Sequence, residues 1–340
     1  MSRILSLLLF GVSTVAACAR TPVARTAPAL STASSTLAWD DRVRIAEAFR
    51  LADAIGDSTW PGWTSAPFAV LLVTPEREFL VRHPRPSPDF TRIGYDSLLR
   101  GDVLVRPRTL APTLLATFPA VGNVPTIVVG QPRATEKSST EWVLTLVHEH
   151  FHQLQMSRPD YFARVEALGL ARGDRTGMWM LNYPFPYDSP VVQARVALFG
   201  AQLDSALSAT SDDERRSHWL AAQVGRAAIR AALTPDDDRY LGFQMWQEGT
   251  ARYTELQAAR FAARHFAPSG AFRTLPDFIP FDSVASRIEA GIRAGLHASL
   301  KERRRVLFYP LGAAYAMVLD QFDEGWRASY LAGEMSLNKR

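Results

Sequence analysis

The chain has one cysteine in 340 residues. A disulfide within the chain is therefore excluded, and so is a zinc site built on cysteine. The sequence also lacks G-x-G-x-x-G, a Walker loop and G-x-S-x-G. The common phosphate-cradling turns and the nucleophile elbow are thereby absent. No internal repeat is visible, so a solenoid or propeller is not expected. Neither sign of charge dominates: 38 Lys and Arg face 34 Asp and Glu, for a net charge of +4. That balance does not mark a nucleic-acid binder, and no nucleic-acid partner is expected. The apolar run at residues 4–12 is too short for an ordinary membrane-spanning helix. What remains is a chain that is 47% hydrophobic, enough for a substantial core. Its length fits one large domain or two closely packed subdomains.

Histidine is scarce as well, at seven in the chain, yet three fall together in His148-Glu149-His150-Phe151-His152. Read as His-Glu-x-x-His, this is the pattern of zinc hydrolases. His148 and His152 lie about 40° apart on a helix, one turn displaced, so both imidazoles can reach one metal. Glu149 is then placed to take a proton from an attacking water. At this histidine content the pattern arises by chance in roughly one such chain per hundred. Ser138-Ser139-Thr140-Glu141 is a capping box that starts the helix. Trp142, Val143, Leu144, Leu146 and Val147 make it apolar almost all round, which predicts burial. Buried polar groups need compensation, and a metal supplies it. His150 lies about 200° from His148 around the helix and is read as a packing histidine outside the ligand set.

Arg3 followed by the apolar run at 4–12 reads as an export signal. Val15-Ala16-Ala17-Cys18 resembles the lipobox of bacterial lipoproteins. The resemblance implies a signal over residues 1–18, cleavage before Cys18 and a lipid on Cys18. It also implies an exported chain held by its lipid to the membrane of the cell envelope. Ala19 suits the outer membrane where the source has one. Residues 19–37, rich in Ala, Thr, Ser and Pro, read as a flexible tether.

Helical spacing is visible at 39–55, with Val43, Ala46, Phe49, Leu51 and Ala52. Short Val, Leu and Ile runs at 68–74, 78–82, 103–106 and 126–130 predict a twisted sheet. From 157 onward the pattern is helical. Ser189-Pro190, Ser211 to Glu214 and Thr234-Pro235 open helices, and Asp282 is expected to cap a fourth. Asp236-Asp237-Asp238 lacks the glycine and distal glutamate of an EF-hand loop and reads as a helix start. The expected fold is α+β. A β-rich subdomain over 38–158 ends in the His-Glu helix, and a helical subdomain follows over 159–340.

Trp246-Gln247-Glu248-Gly249-Thr250-Ala251-Arg252-Tyr253-Thr254-Glu255 resembles the W-x-x-E-G-x-A-x-Y-x-x-E stretch of the gluzincins. The closest likeness is to the zinc aminopeptidase and leukotriene hydrolase family. That likeness implies a zincin-like fold with Zn2+, one per chain, held by His148, His152 and Glu248. Glu255, two turns on along the same face, would orient a ligand histidine. Phe308-Tyr309-Pro310-Leu311-Gly312-Ala313 is similar to the family's Y-x-x-G-A, which implies that Tyr309 stabilises the oxyanion. Tyr315 is the rival. In zincin-like folds a strand near 126–130 borders the cleft, so this strand could bind an extended peptide by strand addition.

The chain departs from the family in two ways. The gap between His152 and Glu248 is longer, which an inserted helical hairpin at about 160–233 would explain. The G-x-M-E-N amine anchor is missing. The implied activity is therefore a membrane-tethered zinc metallopeptidase acting within peptides or proteins rather than from their amino ends. A zinc hydrolase of a non-peptide bond and a non-catalytic envelope scaffold are the alternatives. Trp179, Tyr183, Phe185 and Tyr187 read as aromatics packing a loop, and the cations of 301–305 as a solvated helix end.

Overall fold

The apolar runs between residues 68 and 130 assemble into a six-stranded sheet in a computed structural model that describes residues 36–323 and 325–337. The strands are β1 (Val70–Val73), β2 (Arg77–Val81), β3 (Thr91–Asp96), β4 (Gly101–Pro107), β5 (Leu115–Val121) and β6 (Val124–Gly130). Their order is β3-β4-β2-β1-β6-β5. The β1–β6 pair is parallel and the other four pairs are antiparallel. The export signal, the lipobox and Cys18 lie outside the described residues. Leu37, read as the end of the tether, is instead buried in the core.

Four strands stand where the apolar runs predict them. β3 and β5 are additional, and both are edge strands. β3 is largely exposed, so it carries no alternation to read. β5 contains Pro119, at a place where its register with β6 shifts. Proline is tolerated at an edge or a bulge because it has no N–H for the ladder. One expectation is corrected here. β6 cannot accept a peptide strand, because β1 and β5 occupy both of its sides. The free edge on that side of the sheet belongs to β5.

The helices are α1 (Trp39–Ile55), α2 (Ser139–Met156), α3 (Tyr161–Ala167), α4 (Trp179–Asn182), α5 (Pro190–Ser208), α6 (Asp212–Arg230) and α7 (Pro235–Gln244). A π turn (Met245–Gly249) joins α7 to α8 (Thr250–His265) without a break. Then come α9 (Gly270–Arg273), α10 (Phe281–Leu296), α11 (Leu300–Arg303), α12 (Phe308–Phe322) and α13 (Trp326–Tyr330). The capping box of α2 is complete: Ser138 accepts from the Glu141 amide, and Glu141 accepts from the Ser138 amide. Ser189, Ser211 and Thr234 cap α5, α6 and α7 by accepting from the amide three residues on, but the capping box expected at Ser211 is not completed, because Glu214 accepts from Thr210 instead. Asp282 is not a cap. α10 starts at Phe281, two residues earlier than a cap at Asp282 would set, with Pro280 as its N-cap, and Asp282 accepts from the next amide within the first turn.

α5 and α6 form the helical hairpin, with Arg195 bonded to the Ala228 carbonyl and Gln202 to His218. The acidic start of α7 is engaged by arginines: Asp236 by Arg239, and Asp238 by Arg226 and Arg230. Tyr183 stacks on Tyr240 at 4.3 Å and Phe185 meets Phe308 edge-on at 5.2 Å. Trp179, Tyr183, Phe185 and Tyr187 are all buried, so they pack the loop onto α7 and α12.

Strand alternation divides the sheet between two clusters. Leu71, Val73, Leu80 and Val128 form a small one on one face. Val70, Leu72, Phe79, Val81, Ile127 and Val129 face the helices and join the main core with α1, α2, α8 and α12. The β-rich and helical parts therefore share one core, with α2 between them.

Where α12 crosses the π turn, two glycines meet. A Cβ on Gly249 would lie 2.4 Å from Gly312 Cα, and one on Gly312 would lie 2.5 Å from the Met245 carbonyl oxygen. No side chain fits there. This contact brings Glu248 and Tyr309, the neighbours of those glycines, toward each other. Gly249→Ala or Gly312→Ala is expected to lower stability by about 1–3 kcal/mol by forcing the backbones apart. Urea unfolding reads the change, and an unchanged midpoint would mean that the crossing is not close-packed.

Candidate metal centre

Every residue of α2 from Trp142 to Gln155 is buried. His148 and His152 share one face of it, with ring centroids 5.1 Å apart. Glu248 arrives from the π turn. Such a turn inserts one residue into the helical repeat and is common at functional sites. Glu248 Oε2 lies 3.5 Å from His152 Nε2 and 4.0 Å from His148 Nε2. Ligand atoms of all three residues fall within 4.8 Å of one another. Among the described residues no other group of three or more His, Cys, Asp or Glu comes together in this way.

Bond lengths of about 2.0–2.1 Å at tetrahedral angles place ligand atoms roughly 3.3 Å apart. The observed separations are somewhat wider, so small side-chain movements would close them on an ion. The donor set, two imidazoles and a carboxylate, suits zinc with one position left open. The far nitrogens also suit it. His148 Nδ1 faces Glu255 Oε2 at 3.3 Å, and Arg252 donates to the same oxygen at 2.8 Å. His152 Nδ1 faces Gln155 Oε1 at 2.7 Å. An acceptor behind each ring would leave Nε2 as the lone pair of the neutral imidazole, the form that binds a metal.

The electrostatics favour a positive charge at this point. Burial alone would raise the Glu248 carboxyl, but His152, His148 and Arg305 outweigh it and hold it down at about 2. Glu255 is likewise held at about 2, against burial, by Arg252 and His148. Burial alone would lower His152, but the carboxylates of Glu248 and Glu149 raise it to about 9. The metal-free centre thus retains a proton where a cation would sit.

Glu149 points toward β5, where the Thr117 hydroxyl donates to its Oε2 at 2.8 Å and to its backbone oxygen at 3.0 Å. Tyr309 lies at the start of α12. Arg305 donates to its hydroxyl oxygen at 2.8 Å, and Arg305 itself is 3.9 Å from Glu248 Oε1. Burial and the Glu248 carboxylate push the Tyr309 hydroxyl well above the usual phenol range, so it stays a donor. Tyr315 is elsewhere, packed against Trp219 and Phe199. The cations of 301–305 divide: Lys301, Arg303 and Arg304 are exposed, whereas Arg305 turns into the centre. Arg304 takes a left-handed φ of 48°, which ends α11 just before that residue.

His150 faces the sheet side. It stacks on Phe68 at 4.1 Å and meets Trp63 edge-on at 4.5 Å. Burial lowers it to about 4, so it packs as a neutral ring. Three contributors were not picked out from the sequence: Thr117, Gln155 and the separate role of Arg305. Only Gln155 carried a signal, three residues beyond His152 on a buried helix.

Comparison with protein-family models, curated proteins and solved structures finds no match to this chain.

His150→Phe keeps the ring stack but leaves Gln153 Oε1 without its imidazole partner. Its expected cost is about 1–3 kcal/mol in urea unfolding at neutral pH. A smaller loss would mean that Gln153 finds another donor.

Proposed function

We propose that this chain is a zinc metallopeptidase of the zincin-like, gluzincin kind, tethered to a membrane of the cell envelope through Cys18. One observation carries the reading. His148 and His152 on α2 and Glu248 on the π turn, far apart in sequence, bring their ligand atoms within 4.8 Å. Glu149 follows His148 on the same helix, and Tyr309 is held by Arg305 beside Glu248, which supports the roles proposed for them. The lipid tether rests on the sequence alone.

When bound, zinc supplies a Lewis acid that acidifies water and polarises a carbonyl oxygen. The remaining chemistry belongs to the chain. Thr117 engages Glu149 Oε2 and holds the carboxylate in place. Glu149 Oε1 takes the proton from water as the water oxygen bonds to the carbonyl carbon. The C–N bond then breaks, and Glu149 passes that proton to the leaving amine nitrogen. Arg305 donates to the Tyr309 oxygen, and the hydroxyl, which faces the Glu248 carboxylate in this structure, turns its hydrogen to the carbonyl oxygen as that oxygen becomes anionic. The peptide lies along the free edge of β5, where backbone groups left unpaired by the sheet can bind it as an added strand. That edge adjoins Glu149 through Thr117.

The test is metal content followed by hydrolysis. The purified protein should carry about one zinc per chain. His148→Ala and Glu248→Ala should lose it, and Glu149→Gln should retain zinc while peptide hydrolysis falls by at least about 100-fold. Full activity in Glu149→Gln would remove Glu149 from its role. Zinc-loaded protein that hydrolyses esters but no peptides would move the reading to a non-peptide hydrolase.

A further inference from the structure

α2 carries two histidine–glutamine pairs, each three residues apart, and uses them in opposite directions. His150 Nδ1 meets Gln153 Oε1 at 2.9 Å, and Gln153 Nε2 then donates to the carbonyls of Ala69 at 2.9 Å and Pro125 at 3.0 Å. That pair fastens the helix to the sheet. The second pair points the other way. His152 Nδ1 meets Gln155 Oε1 at 2.7 Å. Gln155 Nε2 faces Tyr330 Oη at 2.8 Å, the Gln247 carbonyl at 3.2 Å and the Trp246 carbonyl at 3.4 Å. Trp246 and Gln247 are the two residues just before Glu248, inside the π turn.

The orientation of the Gln155 amide is determined by these neighbours. Turned over, it would set its oxygen against two carbonyl oxygens. Tyr330 could not relieve this, because its hydroxyl already donates to the Trp246 carbonyl and offers only its oxygen to Gln155. The amide nitrogen must face the π turn, so the amide oxygen must face His152. In the neutral ring that a metal ligand requires, His152 Nδ1 is then the donor, and Nε2, on the Glu248 side, is the nitrogen left bare.

We infer that Gln155 is a positioning residue of the metal centre. It fixes the tautomer of His152 and ties that imidazole to the backbone that carries Glu248, with Tyr330 of α13 as the third member of the node. The inference rests on the proposed metal-binding reading. It makes the C-terminal helix part of the centre, although no residue of α13 is among the three candidate ligands. Gln153 provides an internal control of the same chemistry on the opposite face.

The experiment measures zinc affinity by competition with a chromophoric chelator, on the full chain and its variants. Thermal unfolding of the metal-free proteins and the visible absorption of their cobalt(II) forms are recorded in parallel. Gln155→Leu should bind zinc about 10–100-fold more weakly and shift the cobalt spectrum. Gln155→Glu keeps the acceptor for His152 but sets a carboxylate against two carbonyls. It should hold zinc within a few-fold of the wild type while its metal-free form unfolds at lower temperature. Tyr330→Phe, a milder change, should weaken zinc binding a few-fold. Gln153→Leu should lose metal-free stability and leave the cobalt spectrum unchanged. The inference is overturned if Gln155→Leu keeps wild-type affinity and spectrum, or if Gln153→Leu weakens zinc as much as Gln155→Leu does. Should Gln155→Leu fail to fold, Gln155→Glu and Tyr330→Phe decide the matter by the same readings. A wild-type chain that takes up neither zinc nor cobalt is a separate result, and it removes the metal-binding reading itself.

Discussion

A helix buried all round, yet rich in polar side chains, must find a partner for each of them inside the protein. α2 is under that constraint, and much of the fold answers it. Thr145 turns back to the Glu141 carbonyl in its own helix. The sheet side receives Gln153 through Ala69 and Pro125, and β5 receives Glu149 through Thr117. α8 supplies Glu255 to His148, the π turn supplies Glu248 to both His148 and His152, and α13 supplies Tyr330 to Gln155. The centre is therefore a product of the core and not an addition to its surface, so its geometry is as rigid as the packing around it.

The close crossing of α12 over the π turn serves the same centre from the other side. A glycine on each segment lets the two backbones meet, and the residues beside those glycines are Glu248 and the first turn that holds Tyr309. This gives the Glu-Gly and Tyr-x-x-Gly spacings a physical meaning. The glycine in each sets how near a carboxylate and a phenol can come.

What could be read in the sequence follows from how local each determinant is. The capping box of α2, the Ser211 cap of α6, the Ser-Pro and Thr-Pro helix starts, and the i, i+4 histidines are fixed by residues within one turn of one another. Each stands where the residues predict it. The placement of Glu248 and Tyr309 drew on resemblance, and the geometry brings Glu248 to the histidines and Tyr309 to Arg305 and Glu248. The misses are long-range. β3 and β5 are strands because of their partners, not because of their own alternation. Asp282 lost its capping role because Phe281 could begin the helix and bury its ring. Arg305 could not be told from Lys301, Arg303 or Arg304, since only a left-handed residue before it separates them in space. Thr117 lies on an edge strand that contains a proline, and nothing near it in sequence points to Glu149.

The charges around the centre explain why an arginine is tolerated beside a candidate metal ligand. Formally, the carboxylates of Glu149, Glu248 and Glu255 face the guanidiniums of Arg252 and Arg305, which leaves a single negative charge in excess. In the metal-free protein the proton on His152 balances it, which is why burial fails to expel that proton. A divalent cation in place of the proton reverses the excess to one positive charge. Without Arg305 the same exchange would end at neutrality, with nothing held in reserve for a substrate. An acyl-transfer reaction develops one negative charge on oxygen at its transition state, and a buried site stabilises that charge best when it is already set to neutralise it. Arg305 thus opposes the cation modestly and favours the reaction proposed for it, and its hydrogen bond to Tyr309 holds that phenol beside Glu248.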